Sequence, residues 1–256
     1  MHEALPEVTE RRLDSVQRYG LRLTLFGLAL LLVAIPFGGL LAQVVTDGPA
    51  TRWDSGIAER LHEVVAGRDA WVVALEVLSF LGKPVWLFVV VGLPAIWLAS
   101  QQRWHLALFL AATSIGGGIV NTIVKEVVAR PRPLLDEPVS SARGNSFPSG
   151  HSMSSAICYG ALLLAFGVLL SDRARRWATA GVVVLVGSIG FSRLALGVHY
   201  VTDVLGGFVL GLAWLTASVA AWEIWREDRG LQRTAPLEEG AEPEDAEAAA
   251  ADHPAG

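Results

Sequence analysis

The sequence has very few cysteines and few charged residues. Its 256 residues include a single cysteine, Cys158, which excludes an intramolecular disulfide and a metal site built from several cysteines. Charged residues make up 18% of the chain and hydrophobic residues 52%, whereas a soluble domain carries about 25% charged residues. Together with a mean hydropathy of +0.45, this composition argues against an ordinary soluble domain and favours a membrane protein.

Lysine is nearly absent, and basic residues are scarce at the carboxyl end. The two lysines accompany eighteen arginines, a bias typical of bacteria with GC-rich genomes. Residues 226–256 hold nine acidic and three basic side chains among alanine, proline and glycine, and this excess dominates the net charge of −5. Such a composition cannot bury a core, so we expect a disordered acidic tail.

The apolar residues are gathered into long runs. A bilayer core of about 30 Å requires roughly 20 helical residues, and six runs approach that length: 21–45, 84–100, 104–124, 152–170, 177–195 and 203–225. The first run is too long for the core of a signal peptide, so we expect a retained span. The predicted fold is an all-α integral membrane bundle of about six transmembrane helices, with residues 1–20 as an N-terminal segment, 21–225 as the membrane domain and 226–256 as the tail.

Two further segments lie between the first two runs. Residues 71–82 either extend the second span or form a separate interfacial helix before the break at Gly82-Lys83-Pro84. Residues 53–66 have apolar side chains at helical spacing, at Ile57, Leu61, Val64 and Val65. This spacing predicts an amphipathic surface helix with Asp54 or Ser55 as its N-cap.

Three short polar blocks lie at the ends of apolar runs: Lys125 to Pro133, Pro148 to His151 and Ser192 to Asp203. Charge beside a bilayer is costly, so such residues are functional candidates. In the last block, His199 and Asp203 are four residues apart and share one helical face. The carboxylate would fix the imidazole tautomer and leave the other ring nitrogen free to attack. The alternative is a structural His–Asp pair that ends a span, with Arg193 extended towards the membrane surface.

The second block, PSGH, directly precedes a span. A helix N-terminus there offers free N–H groups to an anion, and Gly150 allows a phosphate to approach the backbone closely. His151 would then stand beside that anion, placed to donate a proton. The alternative is ordinary helix capping with a solvent-facing histidine.

The first block places Lys125 and Arg132 seven residues apart, and Pro131 and Pro133 stiffen the chain around Arg132. These cations suit a phosphate, although basic residues beside a membrane also contact lipid headgroups. Arg130 fits both interpretations.

Together the blocks resemble the signature of the type 2 phosphatidic acid phosphatase (PAP2) family, the lipid phosphate phosphatases related to vanadium haloperoxidases. That signature reads K-x6-R-P, P-S-G-H and S-R-x5-H-x3-D. The chain matches every fixed position in order, with Lys125-x6-Arg132-Pro133, Pro148-Ser149-Gly150-His151 and Ser192-Arg193-x5-His199-x3-Asp203. The resemblance covers residues 125–203 by motif and about 20–225 by the arrangement of spans.

The resemblance implies a role for each matching residue. His199 would be the nucleophile that forms a phosphohistidine, Asp203 would orient it, and His151 would protonate the leaving group and then activate water. The phosphoryl oxygens would be held by Lys125, Arg132, Ser149, the Gly150 N–H and Arg193. Three fixed cations can supply what a metal supplies elsewhere, and the sequence lacks a carboxylate cluster near the site for Mg²⁺. We therefore expect no metal and no other cofactor.

The short loop 171–176 (SDRARR) is strongly basic, which predicts that it is cytoplasmic. With six spans, both termini are then cytoplasmic and all three blocks lie outside a bacterial plasma (inner) membrane.

The expected function is hydrolysis of a lipid phosphomonoester or diphosphate, of the phosphatidic acid or undecaprenyl diphosphate type. The expected partners are the lipid substrate and the bilayer but not nucleic acid, and the oligomeric state is open. The alternatives are a lipid phosphotransferase with the same phosphohistidine and a non-catalytic lipid-binding or transport protein.

Overall fold

The computed structural model describes residues 31, 34–135, 140 and 142–228. All regular structure within these residues is helical, which confirms the predicted all-α class. In chain order the helices are α1 (Ala34–Val45), α2 (Pro49–Val65), α3 (Asp69–Phe80), α4 (Pro84–Ser100), α5 (Trp104–Val128), α6 (Gly150–Phe166), α7 (Asp172–Ala195) and α8 (Val201–Asp228), and a 3₁₀ turn (Gly167–Leu169) continues α6. The acidic tail predicted from residue 226 onward lies almost wholly outside the described residues.

Within the part of the chain that the structure describes, four helices are long and apolar enough to cross a membrane: α5, α6 with its 3₁₀ turn, α7 and α8. They coincide with the last four predicted runs. A fifth span forms if α3 and α4 count as one broken helix, because they meet at a bend of 41°. Of the first predicted run, the structure describes only α1 and Leu31, so the described residues account for four or five of the roughly six predicted spans.

The segment before Pro84 forms its own helix. Helix α3 ends at Phe80, and α4 begins at Pro84, whose fixed φ suits a first helical turn. Of the two interpretations of residues 71–82, the structure therefore contains a separate helix that is bent away from the following one.

Helix α2 confirms the predicted surface helix but corrects its start. It begins at Pro49 with Gly48 as N-cap, so the predicted cap at Asp54 or Ser55 is wrong. Proline at the first position begins the helix one turn earlier, which places Asp54 in its interior, buried against α8. The predicted apolar face is only partly buried, since Val65 is covered while Val64 is 54% exposed.

Helix α6 lies at the centre and packs against α4, α5, α7 and α8. Glycines let α8 approach it closely. A Cβ atom on Gly207 would lie 2.6 Å from the Ser149 carbonyl oxygen, and one on Gly211 would lie 3.0 Å from that of Met153. Small residues at such contacts are how membrane helices pack closely. This packing places the start of α8 beside the start of α6.

Candidate active site

The three polar blocks meet at one end of the bundle. The first follows the C-terminus of α5, the second begins α6, and the third joins the end of α7 to the start of α8. They surround a pocket of about 390 Å³. Its lining comprises Glu76, Ser79, Lys83, Lys125, Arg132, Ser140, Ala142, Arg143, Gly150, His151, Arg193, Leu196 and His199. The structure thus brings together in one pocket all the predicted site residues except Ser149 and Asp203, which lie directly behind it.

Arg132 is held rigidly by backbone oxygens. Helix α5 ends at Val128, its C-cap Ala129 has a left-handed φ of 50°, and the two prolines that flank Arg132 prevent the helix from continuing. The Arg132 guanidinium donates to four carbonyl oxygens at 2.7–3.3 Å, those of Arg143, Gly144, Asn145 and Val198. The side chain is therefore fixed in place before any ligand arrives.

The contact between Arg132 and His199 defines the tautomer of the imidazole. Arg132 Nη1 lies 3.1 Å from His199 Nε2. A guanidinium can only donate, so Nε2 must be the nitrogen that accepts and the ring proton must lie on Nδ1. The nitrogen that faces the pocket is thus the one without a proton. Burial lowers the pKa of His199 to about 4, against the opposing effect of Asp203, which favours this neutral form.

Asp203 lies fully buried behind the imidazole. Its Oδ2 accepts the Tyr200 N–H at 2.8 Å and the Ser146 hydroxyl, and His199 Nδ1 is 3.4 Å away. The last distance is longer than an ordinary hydrogen bond, and such contacts often tighten only when substrate binds. Gly197, with a φ of 69°, makes the predicted bend between Arg193 and His199.

Arg130, whose role was open, is part of the site but does not face the pocket. Its Nη1 donates to Asp203 Oδ1 at 2.6 Å, and its Nη2 donates to Asp54 Oδ2 at 3.0 Å. The guanidinium also lies over the Tyr200 ring, 4.2 Å from the centroid. Arg130 therefore contacts carboxylates rather than lipid headgroups.

Two buried nitrogens in the pocket have no hydrogen-bond partner among the described residues: His151 Nε2 and Arg193 Nε. Both side chains line the pocket, and Arg193 Nη1 donates to the Ser79 hydroxyl. Buried polar atoms without partners are costly. A phosphoryl group in the pocket would offer acceptors to both.

The second block caps helix α6 and leaves its backbone accessible from the pocket. Ser149 is the N-cap of α6, and its hydroxyl accepts from the Ser152 N–H at 3.5 Å, as its capping alternative predicted. Gly150 lines the pocket, where a Cβ atom would lie 3.1 Å from the Asn121 side-chain oxygen. Lys125 Nζ donates to the Asn145 carbonyl at 2.6 Å and so points into the same space. A substrate contact for the Ser149 hydroxyl stays a prediction.

The sequence analysis missed three residues that complete the site: Ser146, Asn145 and Asp54. Ser146 is fully buried against Asp203, and the Asn145 side chain donates to the Lys125 carbonyl at 3.0 Å. A polar pair just before the PSGH block was a usable signal for both. Asp54 had none, because it lies 148 residues from its hydrogen-bond partner Thr202.

An apolar groove of about 760 Å³ adjoins the pocket. It runs between α4, α5 and α6 past side chains such as Val91, Ile115 and Ile119, and it shares Lys125, Gly150 and His151 with the pocket. Within the described residues, no three His, Cys, Asp or Glu side chains cluster as metal ligands.

Comparison with known proteins identifies relatives over most of the chain. The sequence profile of the PAP2 superfamily matches residues 104–227. Phosphatidylglycerophosphatase B of Bacillus subtilis is 35% identical over 156 residues, which cover 59% of this chain and 70% of the relative. Undecaprenyl-diphosphatase BcrC of the same organism is 35% identical over 125 residues, which cover 46% of this chain and 59% of the relative.

A solved structure shares the fold. The crystal structure of a transmembrane PAP2-type phosphatidylglycerolphosphate phosphatase from Bacillus subtilis superimposes with a TM-score of 0.65 at 24% identity, covering 80% of this chain and 98% of that one. The apolar helices and this transmembrane neighbour make the chain a multi-pass membrane protein. Sequence profile, relatives and fold agree: the chain belongs to the PAP2 superfamily.

Proposed function

We propose that the protein is a membrane lipid phosphatase that works through a phosphohistidine on His199. The observation that carries the proposal is the unprotonated Nε2 of His199, which faces a pocket lined by Lys125, Arg132 and Arg193. A nucleophile beside three cations suits phosphoryl transfer, which depends mainly on positioning and charge stabilisation. The names of the relatives, a phosphatidylglycerophosphatase and an undecaprenyl-diphosphatase, support this reaction class.

In the first step, the phosphoryl oxygens bind to the three cations, and Arg132 exchanges its contact with Nε2 for a phosphoryl oxygen. His199 Nε2 attacks phosphorus while the bond from phosphorus to the lipid oxygen breaks. The leaving oxygen takes a proton from His151, whose Nε2 has no partner among the described residues. Asp203 stabilises the positive charge that the imidazole ring gains.

In the second step, His151 accepts a proton from water, and the resulting hydroxide attacks the phosphohistidine. The bond from phosphorus to Nε2 breaks, inorganic phosphate leaves, and both histidines return to their starting states. The three cations balance the phosphoryl charge throughout, so no step in this scheme calls for a divalent metal.

The substrate is proposed to be a lipid whose chain lies in the apolar groove between α4, α5 and α6. Because the groove and the pocket share Lys125, Gly150 and His151, a chain in the groove ends at the catalytic residues. Lys83 and Arg143 add two cations to the pocket lining against one carboxylate, that of Glu76. This excess favours headgroups with a second phosphate, such as a diphosphate or phosphatidylglycerophosphate, over phosphatidic acid.

The acceptor is proposed to be water rather than a second lipid or sugar. The pocket opens beside exposed polar residues such as Arg143 and Glu76, which provides access for water. Incubation with a labelled lipid donor and candidate acceptors distinguishes the two reactions. A phosphatase releases inorganic phosphate, whereas a phosphotransferase moves the label to the acceptor.

The test is an assay of the purified protein in detergent against phosphatidic acid, phosphatidylglycerophosphate and undecaprenyl diphosphate, with release of inorganic phosphate measured. We expect turnover of all three and a higher kcat/KM for the two lipids that carry a second phosphate. A double variant that removes both additional cations of the pocket lining, Lys83→Ala and Arg143→Ala, should reduce that preference. No phosphate release from any lipid would contradict the proposed function, and equal values for all three would contradict the substrate preference.

A further inference from the structure

We infer that Asp54 and Arg130 are positioning residues that control the charge and orientation of Asp203, and through it the reactivity of His199. The inference rests on the proposed phosphatase function. Asp54 comes from α2, far in sequence from the three blocks, yet it is 2% exposed and joined to the site by buried contacts. The arrangement is a chain of alternating charges, Asp54–Arg130–Asp203, that ends at His199.

Arg130 fixes the plane of the Asp203 carboxylate. It binds Oδ1 at 2.6 Å, while Oδ2 receives the Tyr200 N–H and the Ser146 hydroxyl on the side of the imidazole. With Oδ1 held by Arg130, Oδ2 alone is left for His199. A carboxylate free to rotate would present its oxygens to the imidazole in varying geometry and lose directional control of the tautomer.

Asp54 supplies the charge that Arg130 would otherwise remove. An ion pair between Arg130 and Asp203 alone is neutral, and it would leave little negative charge to stabilise a positive imidazole. Asp54 Oδ2 accepts from the second nitrogen of Arg130 at 3.0 Å, so the three groups together carry one negative charge. All three are at most 9% exposed, and charge acts strongly where water is excluded.

Asp54 also anchors the start of α8. Its Oδ1 accepts the Thr202 N–H at 3.1 Å, and its Oδ2 accepts the Thr202 hydroxyl. Asp54 therefore acts as a capping side chain for α8, although it is located in α2. Because Asp203 is the residue after Thr202, the same contact determines where the catalytic carboxylate lies. This second contact requires a test that separates positioning from simple folding.

The test is a double-mutant cycle between Asp54 and Asp203. Asp54→Asn keeps the shape of the side chain and an oxygen for the Thr202 N–H, but it removes the charge. Removing the hydrogen-bond partner of a metal-bound histidine typically lowers metal affinity or activity by about 10- to 100-fold. We expect Asp54→Asn to slow phosphoenzyme formation by a factor of that order. In an Asp203→Asn background the same substitution should change the rate by no more than about twofold. This is the deviation typical of two residues that no longer interact.

The measured quantities are the single-turnover rate of phosphoenzyme formation from a radiolabelled lipid phosphate, the inhibition constant of inorganic phosphate and the melting temperature. The inhibition constant should stay within about twofold, since the three phosphate-binding cations are unchanged. Glu59→Gln is the matched control, because it removes one negative charge from the exposed face of the same helix and should leave the rate unaffected.

An equal slowing by Asp54→Asn in both backgrounds would overturn the inference, and so would an unchanged rate in the wild-type background. If Asp54→Asn fails to fold, Arg130→Lys serves in the same cycle. A lysine keeps the charge but cannot bridge both carboxylates, so it should also lose its effect in the Asp203→Asn background. Failure of the wild-type protein to release phosphate from any lipid would instead contradict the proposed function, so the two failures are distinguishable.

Discussion

At the scale of single residues, the proposed chemistry depends on which nitrogen of His199 lacks a proton. Arg132 fixes this from the pocket side, and Asp203 with Ser146 fixes it from the other. The pocket therefore presents a neutral imidazole beside three cations in the absence of any ligand. Such preorganisation reduces the reorganisation required during the reaction.

His199→Ala should abolish phosphoenzyme formation, because Nε2 is the proposed attacking atom. The measurement is labelling from a radioactive lipid phosphate, quenched in detergent at alkaline pH, which spares a phosphohistidine. His105→Ala is the matched control, since the His105 ring lies tilted against Trp225, is not part of the pocket lining and should leave labelling intact when removed. Labelling that survives His199→Ala would exclude His199 as the nucleophile.

His151→Ala should slow lipid hydrolysis by about 10²- to 10⁴-fold, the usual contribution of a general acid. The decrease in the rate of the first step should be far smaller with p-nitrophenyl phosphate, whose leaving group departs without a proton. The comparison is made on the single-turnover rate of phosphoenzyme formation. Equal losses for both substrates would show that His151 does not protonate the leaving group.

The pH dependence of stability should report the burial of His199. Its folded pKa of about 4 lies below its ordinary value of 6.5, so the unfolded chain takes up the proton first. The contribution to stability is therefore complete above pH 6.5 and is lost as the pH falls towards 4. Thermal melting in detergent should fall more steeply across this window for the wild type than for His199→Asn. Parallel curves would contradict a buried neutral imidazole.

At the scale of helices, close packing between α6 and α8 positions Asp203 beside the start of α6. The Ser149 N–H donates to the Asp203 carbonyl at 2.9 Å, which joins the start of one helix to the start of the other. Glycine at 207 permits this distance.

Gly207→Ala should therefore damage both stability and activity. The new Cβ atom would lie 2.6 Å from the Ser149 carbonyl oxygen and 3.0 Å from the Ser152 Cβ, so α8 must shift. Overpacking of this kind typically costs about 1–3 kcal/mol, and the shift should also move Asp203. The control is Gly181→Ala in α7, where no atom lies within 4 Å. A Gly207→Ala protein with normal melting and turnover would show that this contact does not position Asp203.

At the scale of the whole molecule, the pocket and the adjoining apolar groove lie at the end of the bundle where α5 finishes and α6 begins. Residues 171–176, predicted as a cytoplasmic loop, instead form the N-cap and the start of α7, at the end of α6 and α7 opposite the pocket. Because these helices cross the membrane, the two ends face opposite sides. A basic segment on the cytoplasmic side predicts an extracytoplasmic pocket.

Cysteine labelling tests this orientation. In a Cys158→Ser background, single cysteines are placed at Ser140, which lines the pocket, and at Ser171, the N-cap of α7. A membrane-impermeant maleimide on intact cells with a permeabilised outer barrier should label position 140 and spare 171. The opposite pattern would place catalysis in the cytoplasm and leave the chemistry unchanged.

Much of the site was readable from the sequence, because its parts are local. The spacing between His199 and Asp203, the PSGH block and the prolines around Arg132 each act over a few residues, and apolar runs identify α5 to α8 without knowledge of their partners. The predicted cap of α2 failed because Asp54 binds a distant helix rather than its own N-terminus. A local pattern contains no information about such a contact.

The sequence alone therefore determined the fold class, the four long spans and the residue types of the site, since hydropathy and motif spacing are properties of short segments. Only the tertiary structure decided the tautomer of His199, the burial of Ser146 and the connection of Asp54 through Arg130 to Asp203. It also decided that the groove opens onto the pocket. These features depend on atoms from different helices meeting within about 3 Å, which packing of the whole bundle controls.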